Sequence, residues 1–160
     1  MIRIGNLLDI YSEYDVITHS CNCFCVMASG IAPQLAKEFG CDRFTLEGSA
    51  WKGSFNKLGC IDYKEVNGVN MVNSYMQYHY RNPGKFGIPF DYDACKLCLR
   101  KIEAAFPEQK VLLPMIGCGL AKAEPSVVLS IIQQELSNPT VVVLPGQFEK
   151  EINLFFKRQF

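Results

Sequence analysis

Short apolar runs alternate with helix-like stripes along the chain, and this pattern is the first guide to the fold. Runs rich in β-branched residues predict six strands, near Ile2–Ile4, Val16–Cys21, Cys60–Lys64, Val69–Tyr75, Val111–Met115 and Val141–Leu144. Apolar residues three and four positions apart predict helices at Ile31–Phe39, Tyr92–Phe106 and Pro125–Leu136, with a last helix at Glu149–Phe160. Strands and helices follow one another in turn, which is typical of a three-layer α/β/α domain with a mixed, mostly parallel sheet.

Length and charge narrow the class of protein. The chain has 160 residues, 49% of them hydrophobic, which suits a single domain spanning 1–160 with a packed core. Its 16 basic and 16 acidic residues cancel, so we expect no direct binding of duplex nucleic acid. No apolar run approaches the length that spans a bilayer, so no membrane partner is expected.

The cysteines are numerous but do not form a metal-binding pattern. The start of the chain, MIRIGNLLDI, has the pattern of a strand and turn, so a cytoplasmic protein with reduced thiols is expected. Cys21, Cys23 and Cys25 alternate along a strand, whereas Cys95 and Cys98 lie one helical turn apart. No second pair completes a zinc set, so we expect no metal and interpret the cysteines as small apolar core residues.

Polar residues cluster where a predicted strand passes into a predicted helix. In the segment Asp15–Gly40, the strand ends in HSCN and a small-residue turn precedes the helix. Free amides and the helix dipole at such a junction favour an anion. The segment Pro114–Ala123, PMIGCGLAKA, repeats the arrangement with two glycines that allow close backbone approach. With the turn after the first strand, these loops predict a diphosphate site at one sheet edge.

Taken in order, the motifs GNL, DVITHSCNC…MASGIA and PMIGCGL resemble those of the macro domain family. The HSCNC run is similar to the branch that contains ADP-ribose-1''-phosphate phosphatases. The resemblance implies a small-molecule ADP-ribose derivative as partner, with no cofactor, and we expect a monomer. The implied activity is hydrolysis of the terminal phosphomonoester of ADP-ribose-1''-phosphate to ADP-ribose and phosphate.

The resemblance also implies roles for individual residues. His19 corresponds to a histidine implicated in phosphatase catalysis, and Asn22 to an asparagine that faces the distal ribose. Glu124 is the nearest acid after the second glycine loop, so it is the candidate catalytic partner. Asn6 stands where the family usually has an aspartate that bonds the adenine amino group. The implied substrate-binding positions are Gly5, Asn6, Leu7, Asn22, Ala28, Ser29, Gly30, Ile31, Ile116, Gly117, Cys118, Gly119 and Leu120.

Several alternatives remain open at this point. His19 could act as general base or as nucleophile, or could be a buried histidine satisfied by hydrogen bonds. Asn22 could be a turn-former, and Glu124 a helix-start acid. Lys85 invites comparison with the catalytic lysine of deacylating ADP-ribose hydrolases, although a solvated loop lysine is the favoured interpretation. The whole chain could instead remove ADP-ribose from modified protein, bind ADP-ribose without turnover, or serve another nucleotide.

Overall fold

The computed structural model describes residues 1–44 and 52–158, which form one six-stranded sheet with helices on both faces. The strands are β1 (Ile2–Ile4), β2 (Val16–Asn22), β3 (Ile61–Val66), β4 (Val69–Gln77), β5 (Val111–Pro114) and β6 (Pro139–Val143). The helices are α1 (Leu7–Ile10), α2 (Ala32–Phe39), α3 (Tyr92–Ala105), α4 (Pro125–Glu135) and α5 (Glu149–Lys157).

The sheet has the strand order β1-β6-β5-β2-β4-β3. Every neighbouring pair is parallel except β3 and β4, which form an antiparallel hairpin. Asn67 and Gly68 join these two strands, and both have the positive φ that a tight hairpin turn requires. The predicted α/β/α architecture with a mixed, mostly parallel sheet is confirmed.

The core lies on both faces of the sheet because the central strands bury side chains in both directions. On one face, helices α3, α4 and α5 pack against β2, β5 and β6. On the other face, Leu7 of α1 and Leu35 of α2 pack with Ile17 and Met71. A strand buried on both sides reads as a nearly continuous apolar run, which is why Val16–Cys21 was recognisable as a strand.

The predicted elements differ from the observed ones mainly at their ends and in one short helix. Helix α1 spans four residues, too few for a periodic apolar stripe, and it depends on a local cap: the Asn6 side chain accepts a hydrogen bond from the Leu8 amide at 3.0 Å. The last helix ends at Lys157, and the final two positions of its predicted range lie outside the described residues.

The two edge strands differ in length and in exposure. Strand β1 has three residues, and β3 has six, of which Tyr63, Lys64 and Glu65 are exposed. Both edges are therefore short or charged.

All eight cysteines are free thiols, and five of them are buried: Cys21, Cys23, Cys41, Cys95 and Cys98. Within residues 1–44 and 52–158, no group of three or more His, Cys, Asp or Glu side chains is placed to hold a metal ion. None of the helices in the same part of the chain combines the length and the apolar character needed to cross a bilayer.

Candidate functional site

A cleft of about 530 Å³ opens at the edge of the sheet where the parallel strands end. Strands β5, β2 and β4 lie side by side, so the segments that follow them meet at this edge. Such an edge is where open α/β sheets gather ligands. The sequence predicts a polar cluster at the end of β2 and a glycine-containing loop after β5, and the structure brings both to the cleft.

Most of the predicted site residues line this cleft. They are His19 and Asn22 from β2, Ala28, Ser29, Gly30 and Ile31 from the β2–α2 loop, and Ile116, Gly117, Gly119 and Leu120 from the β5–α4 loop. The two glycine-containing loops therefore do lie at one site.

Five predicted positions are not among the lining residues, and each has another role or place. Asn6 caps α1, next to Gly5, and Leu7 is buried in the core. The Cys118 thiol turns back to donate to the carbonyl of Ile116 at 3.4 Å. Glu124 is exposed at the start of α4, where its backbone amide donates to the Tyr92 hydroxyl at 3.0 Å. The structure thus does not bring Glu124 together with His19.

The β5–α4 loop is shaped by one glycine. Gly117 has φ +72°, and a Cβ at this position would overlap the ring of Phe90, a core residue. Gly119, two positions on, has open space around its Cα. Backbone bonds hold the loop closed, since the Ala123 amide donates to the Gly117 carbonyl at 2.8 Å and the Lys122 amide to the Gly119 carbonyl at 3.0 Å.

The β2–α2 loop leads into a helix start that no side chain caps. Gly30 has φ +64°, and Ile31 occupies the N-cap position without a side-chain hydrogen bond. Helix N-termini present unpaired amides and a positive dipole end, so an uncapped start suits an anion. Pro33 has no N–H, and the amides of the next two residues donate to the Ile31 carbonyl. The backbone donors that this segment can offer therefore come from the loop and from the Ala32 amide.

His19 lines the cleft but is only 1% exposed, and a chain of hydrogen bonds holds its ring. Its Nε2 lies 2.7 Å from Oδ1 of Asn73. The Asn73 Nδ2 donates to the Cys41 carbonyl and to Oδ1 of Asp62, both at 2.8 Å, and the Tyr75 hydroxyl donates to Oδ2 of Asp62 at 2.6 Å. Because the Asn73 oxygen can only accept, Nε2 of His19 carries the proton and Nδ1 keeps its lone pair.

Burial keeps this imidazole neutral. Desolvation lowers the pKa of His19 from 6.5 to about 4, and the hydrogen bond to Asn73 offsets only part of that effect. The Cys21 thiol lies 3.3 Å from Nε2, and burial raises the pKa of Cys21 well above its usual value, so no thiolate forms there. The same Sγ lies 3.9 Å from Nδ1. A neutral ring with a lone pair on Nδ1 can accept a proton or attack phosphorus, but it does not supply a positive charge.

Comparisons with solved structures identify the fold, whereas no family model matches the chain. An uncharacterised 17.5 kDa protein of phage T4, from the tk-vs intergenic region, is 29% identical over 153 residues, or 88% of this chain and 92% of that protein. The macrodomain of Thermus aquaticus DarG is 21% identical with a TM-score of 0.68, over 91% of this chain and 99% of that one. Thermosipho africanus DarTG in complex with ADP-ribose is 19% identical with a TM-score of 0.65, over 91% of this chain and 41% of that one.

This chain has the macrodomain fold.

The Asn22 side chain makes the contacts expected of a turn-forming residue. Oδ1 accepts from the amides of Phe24 and Val26 at 3.1 and 3.2 Å, and Nδ2 donates to the Val26 carbonyl at 2.9 Å. The side chain orders the chain ahead of Ala28, and its second Nδ2 hydrogen makes no bond to the described residues.

The macrodomain cleft also contains polar residues that the sequence did not single out. Gln77 and Arg81 line it together with Ser20 of the predicted polar cluster, and Arg81 is the one charged side chain among the described lining residues. Gln77 is the last residue of β4, and Arg81 lies four residues further along the chain. The adjacency of β2 and β4 was the missing information, since parallel neighbours end at the same sheet edge.

Lys85 lies outside the lining of the macrodomain cleft. Its ammonium forms an ion pair with Asp93 at 2.7 Å and lies 3.9 Å from Asp91. The loop lysine is therefore engaged by carboxylates at the start of α3.

Proposed function

We propose that residues 1–160 form a single domain that binds ADP-ribose or a phosphorylated derivative in the cleft. The observation that carries this proposal is the meeting of two glycine-containing loops, at 28–31 and 116–120, in one cleft. No carboxylate lies among the cleft's described lining residues, and the lining includes the cation Arg81. Backbone donors suit a diphosphate, and a cation without an opposing acid suits a further anionic group on the same ligand. The ADP-ribose bound by DarTG, a protein of the same fold, supports this ligand class.

The proposed reaction is hydrolysis of the terminal phosphate of ADP-ribose-1''-phosphate. In one route, Nδ1 of His19 takes a proton from the water that attacks phosphorus; in the other, Nδ1 attacks phosphorus itself and water then cleaves the N–P bond. In both routes the bond from phosphorus to the sugar oxygen breaks and that oxygen takes up a proton, giving ADP-ribose and inorganic phosphate. Backbone amides of the two loops stabilise the developing negative charge.

Non-catalytic binding of ADP-ribose is the second candidate, and the burial of His19 favours it. A ring that is 1% exposed and bonded through Nε2 to Asn73 also fits a structural role. Removal of ADP-ribose from modified protein has less support. The resemblance to the deacylating hydrolases implies an aspartate at position 121, which is Ala121 in this chain. No carboxylate lies in the described lining, and Lys85 is paired with Asp93.

Phosphate release from ADP-ribose-1''-phosphate tests the proposed reaction. We expect release by the wild type and a decrease in kcat of about 100-fold or more in His19→Ala and His19→Gln, because general base and nucleophilic roles contribute on this scale. Both variants should still bind ADP-ribose in calorimetry, and circular dichroism verifies that they fold. Glu124→Gln should keep kcat within about twofold, since Glu124 lies outside the cleft.

Each other result contradicts a defined part of the proposal. Tight ADP-ribose binding without phosphate release would leave a binding module. Release that persists in both His19 variants would refute the roles given to Nδ1. A wild type that does not bind ADP-ribose would refute the ligand class.

A further inference from the structure

The segment His79–Asn82, which follows β4, is held in a defined conformation beside the cleft. Nδ1 of His79 accepts hydrogen bonds from the amides of Arg81 and Asn82, each at 3.0 Å. The His79 ring stacks on Tyr80 with a centroid distance of 4.2 Å, and Phe24 packs edge-on against His79 at 5.1 Å. The backbone of Arg81 is therefore held by the hydrogen bonds to His79, and the His79 ring is in turn held by its contacts with Tyr80 and Phe24.

The charge of Arg81 is not neutralised by any carboxylate of the described residues. No ion pair involves its guanidinium within residues 1–44 and 52–158; instead the group lies 5.6 Å from the centroid of the Tyr80 ring. Lys85, four residues further along, is paired with Asp93. Arg81 is exposed, lines the cleft, and faces no carboxylate among the described lining residues, so its charge is available to a ligand.

Arg81 and the β5–α4 loop follow different strands of the sheet. Strand β2 lies between β5 and β4; the loop 116–120 follows β5, and Arg81 lies four residues beyond the end of β4. The ends of β5 and β4 are two strand spacings apart, roughly 10 Å, so groups that follow them can contact different parts of one nucleotide sugar. His19, whose Nε2 is bonded to Asn73 of β4, lines the same cleft as Arg81.

We propose that Arg81 binds the terminal phosphate of ADP-ribose-1''-phosphate and makes the cleft prefer this ligand to ADP-ribose. The inference rests on the proposed function, because the ligand class comes from there. The loop amides near β5 take the diphosphate, and a guanidinium, with paired N–H donors, takes the second anionic group beside His19. Arg81 is thereby a specificity-determining residue that contacts the substrate.

Affinities for the two ligands, measured in matched variants, test this role. Calorimetry gives Kd for ADP-ribose; for ADP-ribose-1''-phosphate, Kd is measured if the ligand persists on the protein and KM if it is turned over. We expect the wild type to prefer the phosphorylated ligand by about tenfold or more and Arg81→Gln to lose that preference, since charge-assisted hydrogen bonds contribute on this scale. The affinity of Arg81→Gln for ADP-ribose should stay within about twofold.

Two further variants sharpen the test. Arg81→Lys should keep part of the preference, because an ammonium retains the charge but not the paired donors. Lys85→Gln removes a positive charge from the same loop, outside the cleft, and should behave as the wild type.

The remaining outcomes overturn the inference in distinguishable ways. Equal weakening of both ligands in Arg81→Gln would assign Arg81 to the diphosphate. An unchanged preference in Arg81→Gln would show that Arg81 does not contact the phosphate. A wild type that binds ADP-ribose without preferring the phosphorylated form would overturn the role of Arg81 alone, whereas one that binds neither ligand would overturn the proposed function as well.

Discussion

The polar residues of β2 show how one short run combines structural and ligand-facing roles. The Thr18 hydroxyl donates to the Val72 carbonyl at 3.1 Å and lies 2.6 Å from the Ser74 hydroxyl. His19 and Asn22 are bonded within the protein as well. By contrast, the Ser20 hydroxyl is buried without a hydrogen-bond partner among the described residues. Ser20 is therefore the member of the run whose hydroxyl contributes no internal bond to the fold.

Replacing Ser20 should not weaken the fold. Ser20→Ala removes an unpaired buried hydroxyl, so the free energy of unfolding should stay within about 0.5 kcal/mol of the wild type or rise by about 1 kcal/mol. Urea denaturation of the ligand-free protein measures this difference.

Ser74→Ala is the matched control for Ser20→Ala. Ser74 is the β4 residue paired with Ser20 in the strand register, and its hydroxyl has a partner in Thr18. Its loss should lower the free energy of unfolding by about 1 kcal/mol. A loss of similar size in Ser20→Ala would mean that the Ser20 hydroxyl is bonded in solution.

The β5–α4 loop depends on one of its two glycines far more than on the other. At Gly117, the backbone conformation and the ring of Phe90 both exclude a Cβ, whereas Gly119 has neither restriction. The sequence motif does not distinguish the two glycines, whereas the structure shows that Gly117 has no room for a Cβ and Gly119 does.

Alanine substitutions should reveal this difference directly. Gly117→Ala should lower the free energy of unfolding by about 2–4 kcal/mol, from the unfavourable positive φ and the contact with Phe90. Gly119→Ala should change it by less than about 1 kcal/mol. Thermal denaturation of both variants measures the contrast, and equal stability of the two would contradict the described shape of the loop.

Elements with a long periodic or apolar pattern were predictable, and so was the part of the site that follows them. The apolar runs of β2 and β5 predict strands, and the glycine-containing loops after them line the cleft as expected. Helix α1 was missed because four residues carry no period. Arg81 was not predicted as a cleft residue because its place in the cleft depends on the pairing of β2 with β4, which is a long-range contact.

The placement of Glu124 illustrates the same limit at the site. A separation of five residues from Gly119 in sequence suggested a role in the cleft, but the chain turns through Lys122, which has φ +63°, before α4 begins. That turn leads Glu124 to the exposed start of the helix. Backbone direction after a glycine loop cannot be read from spacing alone.

At the scale of the whole molecule, the buried His19 links folding to pH. Its imidazole has a pKa of about 4 in the native state and 6.5 in the unfolded chain, so the unfolded chain binds the proton first as the pH falls. The stabilisation from the neutral ring is complete above pH 6.5 and is lost as the pH falls towards about 4.

Acid should therefore destabilise the wild type more than a variant without this histidine. We expect the free energy of unfolding to decrease by up to about 3 kcal/mol between pH 6.5 and 4 on account of His19, because one pKa unit is about 1.4 kcal/mol. Urea denaturation across this range measures how steeply the free energy of unfolding depends on pH. His19→Gln should reduce this slope by the amount that corresponds to the uptake of up to about one proton on unfolding. Identical slopes in both proteins would place the native pKa of His19 near its ordinary value.

The short β1 and the charged β3 have a consequence for contacts between copies of the chain. A sheet edge presents unpaired amides and carbonyls on which another strand can grow. At one margin, β1 offers only three residues for such pairing; at the other, a new strand would have to displace water from Lys64 and Glu65. Cross-chain β-pairing is thus disfavoured at both margins, and crowded conditions such as overexpression should not convert the sheet into a template for fibrils.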